Sequence, residues 1–228
     1  MALTRADLES DCMRTMLRAQ APDARMLSHA DLDDSLHALL QDKPPGDVWL
    51  FGYGSLVWNP IVHHEERRIA RVHGYHRRFC LWSRVGRGTP DKPGLVLGLD
   101  AGGCCHGVAF RIAAGHAEQE LRLLWRREMV TGSYCPRWVT VSAGDTLLTA
   151  LTFIINRRHP SYAGKLPVET VLHAMTTARG YLGTPAEYLL ETVRGLLEHG
   201  VRDPYLLELR RRVLATHPEL GSAEMRQK

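Results

Sequence analysis

The sequence predicts an α+β fold whose strands form a curved sheet or small barrel flanked by helices. Two observations predict it. Between residues 48 and 112 strand-like segments follow one another with no helix between them, which argues against a regular βαβ alternation. After one helical stretch and two further strands the chain turns helical, with Leu189, Val193, Leu196 and Leu197 recurring at spacings typical of a helix face.

In chain order, residues 1–43 read as a polar helical extension. Thr4 with Asp7 has the spacing of a capping box, and Asp31 is placed to cap a helix over residues 32–40. Lys43-Pro44-Pro45-Gly46 stops any helix, so the main domain is expected over 44–228. Strands are expected at 48–53, 69–83, 94–99 and 106–112, each bounded by Gly, Pro or Asp. A helix is expected over 116–129, closed by Thr131-Gly132, then strands at 137–142 and 146–155. Helices near 168–179, 185–199 and 204–216 complete the chain. The turn-rich segment 84–94 reads equally as a long hairpin connection or as a mobile lid.

Composition removes several classes of function. The chain has 228 residues, 44% hydrophobic and 24% charged, which excludes disordered and collagen-like chains. Lys and Arg exceed Asp and Glu by only four, 29 against 25, and the signs are interspersed, so no nucleic-acid partner is expected. Five cysteines (Cys12, Cys80, Cys104, Cys105, Cys135) with no CxxC spacing suit neither a disulfide framework nor a zinc site. The start lacks the apolar core of a signal peptide, and the longest strongly apolar run, 146–156, is well short of the roughly 20 residues that span a bilayer. A cytoplasmic protein without a membrane partner is expected. Nothing in the sequence sets an oligomeric state.

Two features carry chemistry. In the first, the apolar run Val48-Trp-Leu-Phe51 enters Gly52-Tyr53-Gly54-Ser55-Leu56-Val57. Glycines at a strand end permit close approach to a ligand, and successive backbone amides there can form an anion nest. The loop fits neither a Walker A nor a GxGxxG pattern, and a plain turn between strands explains it as well. The second is Glu128. It lies seven residues after Leu121, four after Leu124 and three after Trp125, so it falls within roughly 20° of Leu121 on the apolar stripe. Arg122, Arg126 and Arg127 fall mainly elsewhere around the helix. Burial and the helix C-terminus both disfavour a negative charge, which raises the pKa and suits a general base. Pairing with an inward arginine, or escape at a frayed helix end, explains Glu128 equally well.

Other candidates are weaker. His63, His64, His73 and His76 lack acidic or cysteine partners at ligand spacing, so no metal is expected. Cys135 is expected to be inert rather than nucleophilic.

A resemblance then separates the open readings. Phe51-Gly-Tyr-Gly-Ser-Leu-Val-Trp-Asn-Pro60, Gly74-Tyr-His-Arg-Arg-Phe79, Arg87-Gly-Thr-Pro-Asp-Lys-Pro-Gly94 and Gly107-Val-Ala-Phe-Arg-Ile112 stand in the order seen in the ChaC family. So do Leu124-Trp-Arg-Arg-Glu-Met-Val-Thr-Gly-Ser-Tyr134 and Asn156-Arg-Arg-His-Pro-Ser-Tyr162, over about 47–210 in all. The chain is thus similar to glutathione-specific γ-glutamylcyclotransferases, and the detail after Glu128 resembles the bacterial branch. The resemblance implies a small mixed β-barrel with flanking helices and a carbon–nitrogen lyase that converts glutathione to 5-oxoproline and Cys-Gly. It places the catalytic carboxylate on Glu128 and the γ-glutamyl group against Gly52, Tyr53, Gly54, Ser55, Leu56 and Val57. Tyr134 and Tyr162 match family tyrosines and are expected to line the pocket. No metal or cofactor is implied. Related alternatives are a cyclotransferase for γ-glutamyl amino acids or γ-glutamylamines, and a non-catalytic γ-glutamyl-binding protein. The first 40 or so residues lie outside the resemblance.

Overall fold

A computed structural model describes residues 3–221. Its centre is a closed barrel of five strands in the order β1-β3-β2-β4-β5. The strands are β1 (Val48–Gly52), β2 (Glu66–Ser83), β3 (Gly94–Ile112), β4 (Tyr134–Ala143) and β5 (Thr146–Ile155). Neighbours are antiparallel except where the barrel closes: β5 meets β1 in parallel, Trp49 opposite Ala150 and Leu50 opposite Leu151. Closure leaves few free ladder groups and buries Leu50, Phe51, Phe79, Leu97, Leu99, Phe110 and Leu151 in one core.

The region expected to hold two strands, 94–99 and 106–112, is one strand of 19 residues. Asp100-Ala-Gly-Gly resembles a turn, and Gly102 and Gly103 do take positive φ, yet pairing with β2 continues past them across an irregularity between His73 and Tyr75. The glycines let the ribbon bend without breaking. Strand β2 also begins three residues earlier than expected, at Glu66.

Helix α1 (Arg5–Glu9) opens with the reciprocal Thr4–Asp7 capping box. It is followed by α2 (Cys12–Gln20) and α3 (His29–Gln41). The cap of α3 is Ser28, with Asp31 as its reciprocal partner at the third helical position, so the helix starts before the expected residue 32. Leu32 and Leu36 of α3 join the barrel core. A single turn, α4 (Ser55–Trp58), follows β1 where an open loop was expected. Helix α5 (Ala117–Glu128) lays Leu121, Leu124 and Trp125 on the barrel, the indole meeting Phe153 edge-on at 5.5 Å between centroids. Helices α6 (Val168–Thr177), α7 (Pro185–Glu198) and α8 (Pro204–Thr216) cover the rest, α7 opening on a Thr184–Glu187 capping box.

Candidate active site

The end of β1 meets the end of α5 beside a cavity of about 820 Å³ lined by Ser55, Arg127, Glu128, Tyr134 and Tyr188, among others. Each element arrives for a local reason. Strand β1 stops at Gly52 because the chain turns directly into α4, whose Val57 amide bonds the Gly54 carbonyl at 3.0 Å. Gly54 does not have positive φ; it is glycine because a Cβ there would lie 2.7 Å from the Tyr188 hydroxyl. Gly52 is likewise a packing glycine, its missing Cβ leaving 3.1 Å to Leu56 Cβ. Helix α5 ends at Glu128 as the chain turns towards Gly132, which takes positive φ.

Glu128 retains 13% of its side-chain exposure, and its Oε1 lies 3.0 Å from Nε of Arg127. Burial raises its pKa above the ordinary glutamate value, against the opposing pull of Arg127. Arg127 is a residue the sequence pattern placed away from the buried stripe. Its side chain is only 8% exposed, and it donates to Ser55 Oγ and to the Asn59 carbonyl, both at 2.7 Å. One guanidinium therefore ties the carboxylate to the turn after β1. Its length explains the miss, because a long side chain in the last helical turn reaches across to the neighbouring face.

The other expected residues divide into two groups. Ser55 and Tyr134 line the cavity with Glu128. Tyr134 donates to the Leu97 carbonyl at 2.8 Å, and burial pushes its pKa far up, so the phenol is neutral. Gly52, Tyr53, Gly54, Leu56, Val57 and Tyr162 do not line it. Tyr53 points inward and donates to the Phe153 carbonyl at 2.7 Å, while its own carbonyl accepts from the buried Arg77 at 2.6 Å. Leu56 and Val57 are core residues that seat α4. Tyr162 donates to Asp100 at 2.9 Å, outside the cavity wall.

Two residues enter the site that the sequence reading did not single out as site residues. Tyr188 of α7 lies under Gly54, with its hydroxyl pKa pushed up to about 12 by burial and by the nearby Glu128. Arg87 stacks its guanidinium over the Tyr188 ring at 5.5 Å and donates to the Leu182 carbonyl at 2.5 Å. That anchor, with the Leu182 amide on the Gly86 carbonyl at 2.8 Å, pins the first half of segment 84–94. Only 89–92 projects as an exposed turn. The capping box that begins at Thr184 was the available signal for Tyr188, since it places that residue on the first turns of α7.

Cys135 does not line the cavity, and burial lifts the Cys80 and Cys105 thiols to about 12 and about 11. Among the described residues no group of three His, Cys, Asp or Glu is placed to hold a metal ion. No helix among them is long and apolar enough to cross a membrane.

Comparison with known proteins follows the same lines. In overall fold the chain superposes on the γ-glutamylcyclotransferase specific to glutathione from yeast with a TM-score of 0.67 at 22% identity, over 74% of this chain and 96% of that one. The barrel is thus of the γ-glutamylcyclotransferase class. Residues 48–216 match the family model described as ChaC-like protein. The chain is 42% identical over 177 residues to the glutathione-specific γ-glutamylcyclotransferase of Escherichia coli (strain K12), with 77% of each chain covered. It is 37% identical over 154 residues to glutathione-specific γ-glutamylcyclotransferase 1 of Homo sapiens, covering 65% of this chain and 69% of that one. The chain belongs to the ChaC family.

Proposed function

We propose that this chain is a glutathione-specific γ-glutamylcyclotransferase, a carbon–nitrogen lyase with Glu128 as its general acid/base. The observation that carries the reading is a desolvated carboxylate facing a substrate-sized cavity, tied through Arg127 to the turn after β1. The reaction is an intramolecular aminolysis. The α-amino nitrogen of the γ-glutamyl unit attacks its own side-chain amide carbonyl and closes a five-membered lactam. The amide C–N bond to cysteine breaks, leaving 5-oxoproline and Cys-Gly. Two protons leave the attacking nitrogen and two reach the departing one, so no water is consumed.

At neutral pH that attacking amine is an ammonium and has no lone pair to use. Glu128 accepts its proton, and its raised pKa brings acceptor and donor closer in strength than an ordinary glutamate would. Once protonated, Glu128 is the acid that delivers a proton to the leaving nitrogen. Folding the substrate so that amine and carbonyl meet supplies a proximity term, which in favourable cases reaches roughly 7–11 kcal/mol. The Ser55 amide, in the first turn of α4 where the helix offers no acceptor, holds the γ-glutamyl carboxylate or the developing oxyanion. Arg127 keeps Ser55 and Glu128 in register during this exchange. Tyr134 and Tyr188 remain neutral donors or acceptors in the wall.

The test is incubation of the purified protein with glutathione, with 5-oxoproline and Cys-Gly measured beside the Glu128→Gln variant. Both products from the wild type and at least a roughly 10²-fold loss in the variant are expected. Cyclisation of γ-glutamyl amino acids with glutathione left intact would keep the chemistry and change the substrate. No turnover of either substrate would leave only a γ-glutamyl-binding role.

A further inference from the structure

The cavity wall is not made by the family-matched region alone. Ala21, Asp23, Ala24, Arg25 and Leu27 also line it, although the family match begins at residue 48. This segment is docked, not draped. The Leu27 amide bonds the Val130 carbonyl at 2.9 Å, and the Leu27 carbonyl accepts from Arg14, a guanidinium buried to 8% exposure, at 2.7 Å. Met16 and Leu17 of α2 pack with Val85 and Val130 in a separate apolar cluster.

A second segment reaches the same turn from the other direction in sequence. Asn156 bonds the Gly132 carbonyl through its side chain and the Ser133 carbonyl through its amide, both at 2.9 Å. His159 is 3.1 Å from the Thr131 carbonyl. Residues 130–133, which directly follow Glu128 and Met129, are therefore stitched to both segments. Each segment presents one exposed arginine to the cavity, Arg25 and Arg158.

The cavity's charges are unbalanced. Five guanidiniums line it (Arg25, Arg84, Arg87, Arg127, Arg158) against the carboxylates Asp23 and Glu128. Arg87 and Arg127 are committed to the contacts described above, and Arg84 leans on the Pro90 carbonyl at 3.4 Å. The Arg25 and Arg158 side chains make no hydrogen bond or ion pair with any described residue. The field of Arg25 reaches Asp31, but that carboxylate is already bonded by the Ser28 amide and hydroxyl, both at 2.7 Å.

Glutathione carries two carboxylates. One belongs to the γ-glutamyl end, where the chemistry happens; the other ends the Cys-Gly portion, about 10 Å away in an extended tripeptide. We propose that residues 21–27 complete the substrate cavity and that Arg25 and Arg158, held by the shared turn 130–133, receive the carboxylate of the leaving Cys-Gly portion. The inference rests on the proposed cyclotransferase reading and extends it to the basis of substrate choice. Guanidiniums suit the task because they bind carboxylates in bidentate geometry and never deprotonate. Both are exposed, so their contribution is screened and falls with salt. It acts on the part of the substrate that does not react, so it belongs in KM and not in kcat.

The experiment compares glutathione with its glycine ethyl ester, which keeps the γ-glutamyl end and removes the distal charge. Wild type, Arg25→Ala, Arg158→Ala and the double variant are assayed for 5-oxoproline. The wild type is expected to favour the acid by about tenfold in kcat/KM, with the preference weakening as salt rises. In the double variant the preference should shrink to within about twofold through a higher KM for glutathione, with kcat and thermal midpoint unchanged. An equal preference in wild type and double variant overturns the proposal, as does a wild type that does not distinguish acid from ester. Absence of 5-oxoproline from either substrate with wild type is a different failure, that of the cyclotransferase reading, and the carboxylate site falls with it.

Discussion

Glu128 and Arg127 set opposite demands on one small site. A carboxyl whose folded pKa lies above its unfolded value contributes stability that is complete below the unfolded value and lost as pH rises through the folded one. The ionised form of Glu128 is therefore less favoured in the folded protein than in the unfolded chain. Glu128→Gln removes that charge, so its melting temperature at pH 7–8 should equal or exceed that of the wild type while turnover falls at least about 10²-fold. Calorimetry beside the product assay checks both, and a lower melting temperature with retained turnover contradicts the assignment. Activity should fall as pH drops through the raised pKa, because the base must be ionised. Arg127 opposes the rise, so Arg127→Gln should move the acid limb of the kcat/KM profile to higher pH. An unmoved limb would show that some other group titrates there.

Among the elements, α1 is tied to α5 by one ion pair that leaves an acid of α5 almost fully buried. Arg5 donates to both oxygens of Glu120, at 2.7 and 2.9 Å, and the Glu120 side chain is 3% exposed. Burial alone would raise the Glu120 pKa, but Arg5 and the His63 amide outweigh it and hold the carboxyl below its usual value. A lowered pKa gives stability that is present above the unfolded value and lost as pH falls through the folded one. Arg5→Ala should thus cost about 2 kcal/mol near neutrality, short of a fully buried pair because Arg5 remains partly exposed. The gap from wild type should narrow below about pH 4.5 as Glu120 protonates. Urea unfolding at pH 7 and pH 4 checks it. In the turn after β1, Gly54→Ala places a Cβ against the Tyr188 hydroxyl and should lower kcat/KM by about tenfold or more through displacement of Ser55. Wild-type kinetics in that variant would show that the turn tolerates the shift.

The whole molecule is held by the closed barrel and the indole that joins three of its parts. Trp125 is 1% exposed, meets Phe153 of β5 edge-on, and donates from Nε1 to Ser35 Oγ of α3 at 2.8 Å. Trp125→Ala should cost roughly 3–5 kcal/mol, a large share of the 5–15 kcal/mol that typically separates folded from unfolded. It also undercuts the helix that carries Glu128. Reduced yield of folded protein and a single unfolding transition at much lower denaturant are expected. A loss below about 1 kcal/mol would mean that α3 and α5 do not share one cooperative unit with the barrel.

The sequence alone determined the α+β order and most strand and helix positions, and it singled out the turn after β1 and Glu128 as candidate features. Those features are local. Alternation, helical spacing and Pro/Gly punctuation act over a few residues, and Glu128 announces itself by standing on an apolar stripe. The motif resemblance then joined the turn after β1 to Glu128. Tertiary structure decided the rest. It made one bent strand where Asp100-Ala-Gly-Gly had read as a break, because pairing along β2 tolerates an irregularity that local composition cannot anticipate. It turned Arg127 inward, brought Tyr188 beneath Gly54, and sent Tyr53 into the barrel and Tyr162 to Asp100. It also laid residues 21–27 against the cavity. These are contacts between residues tens to more than a hundred positions apart, and only the closed chain sets which of them meet.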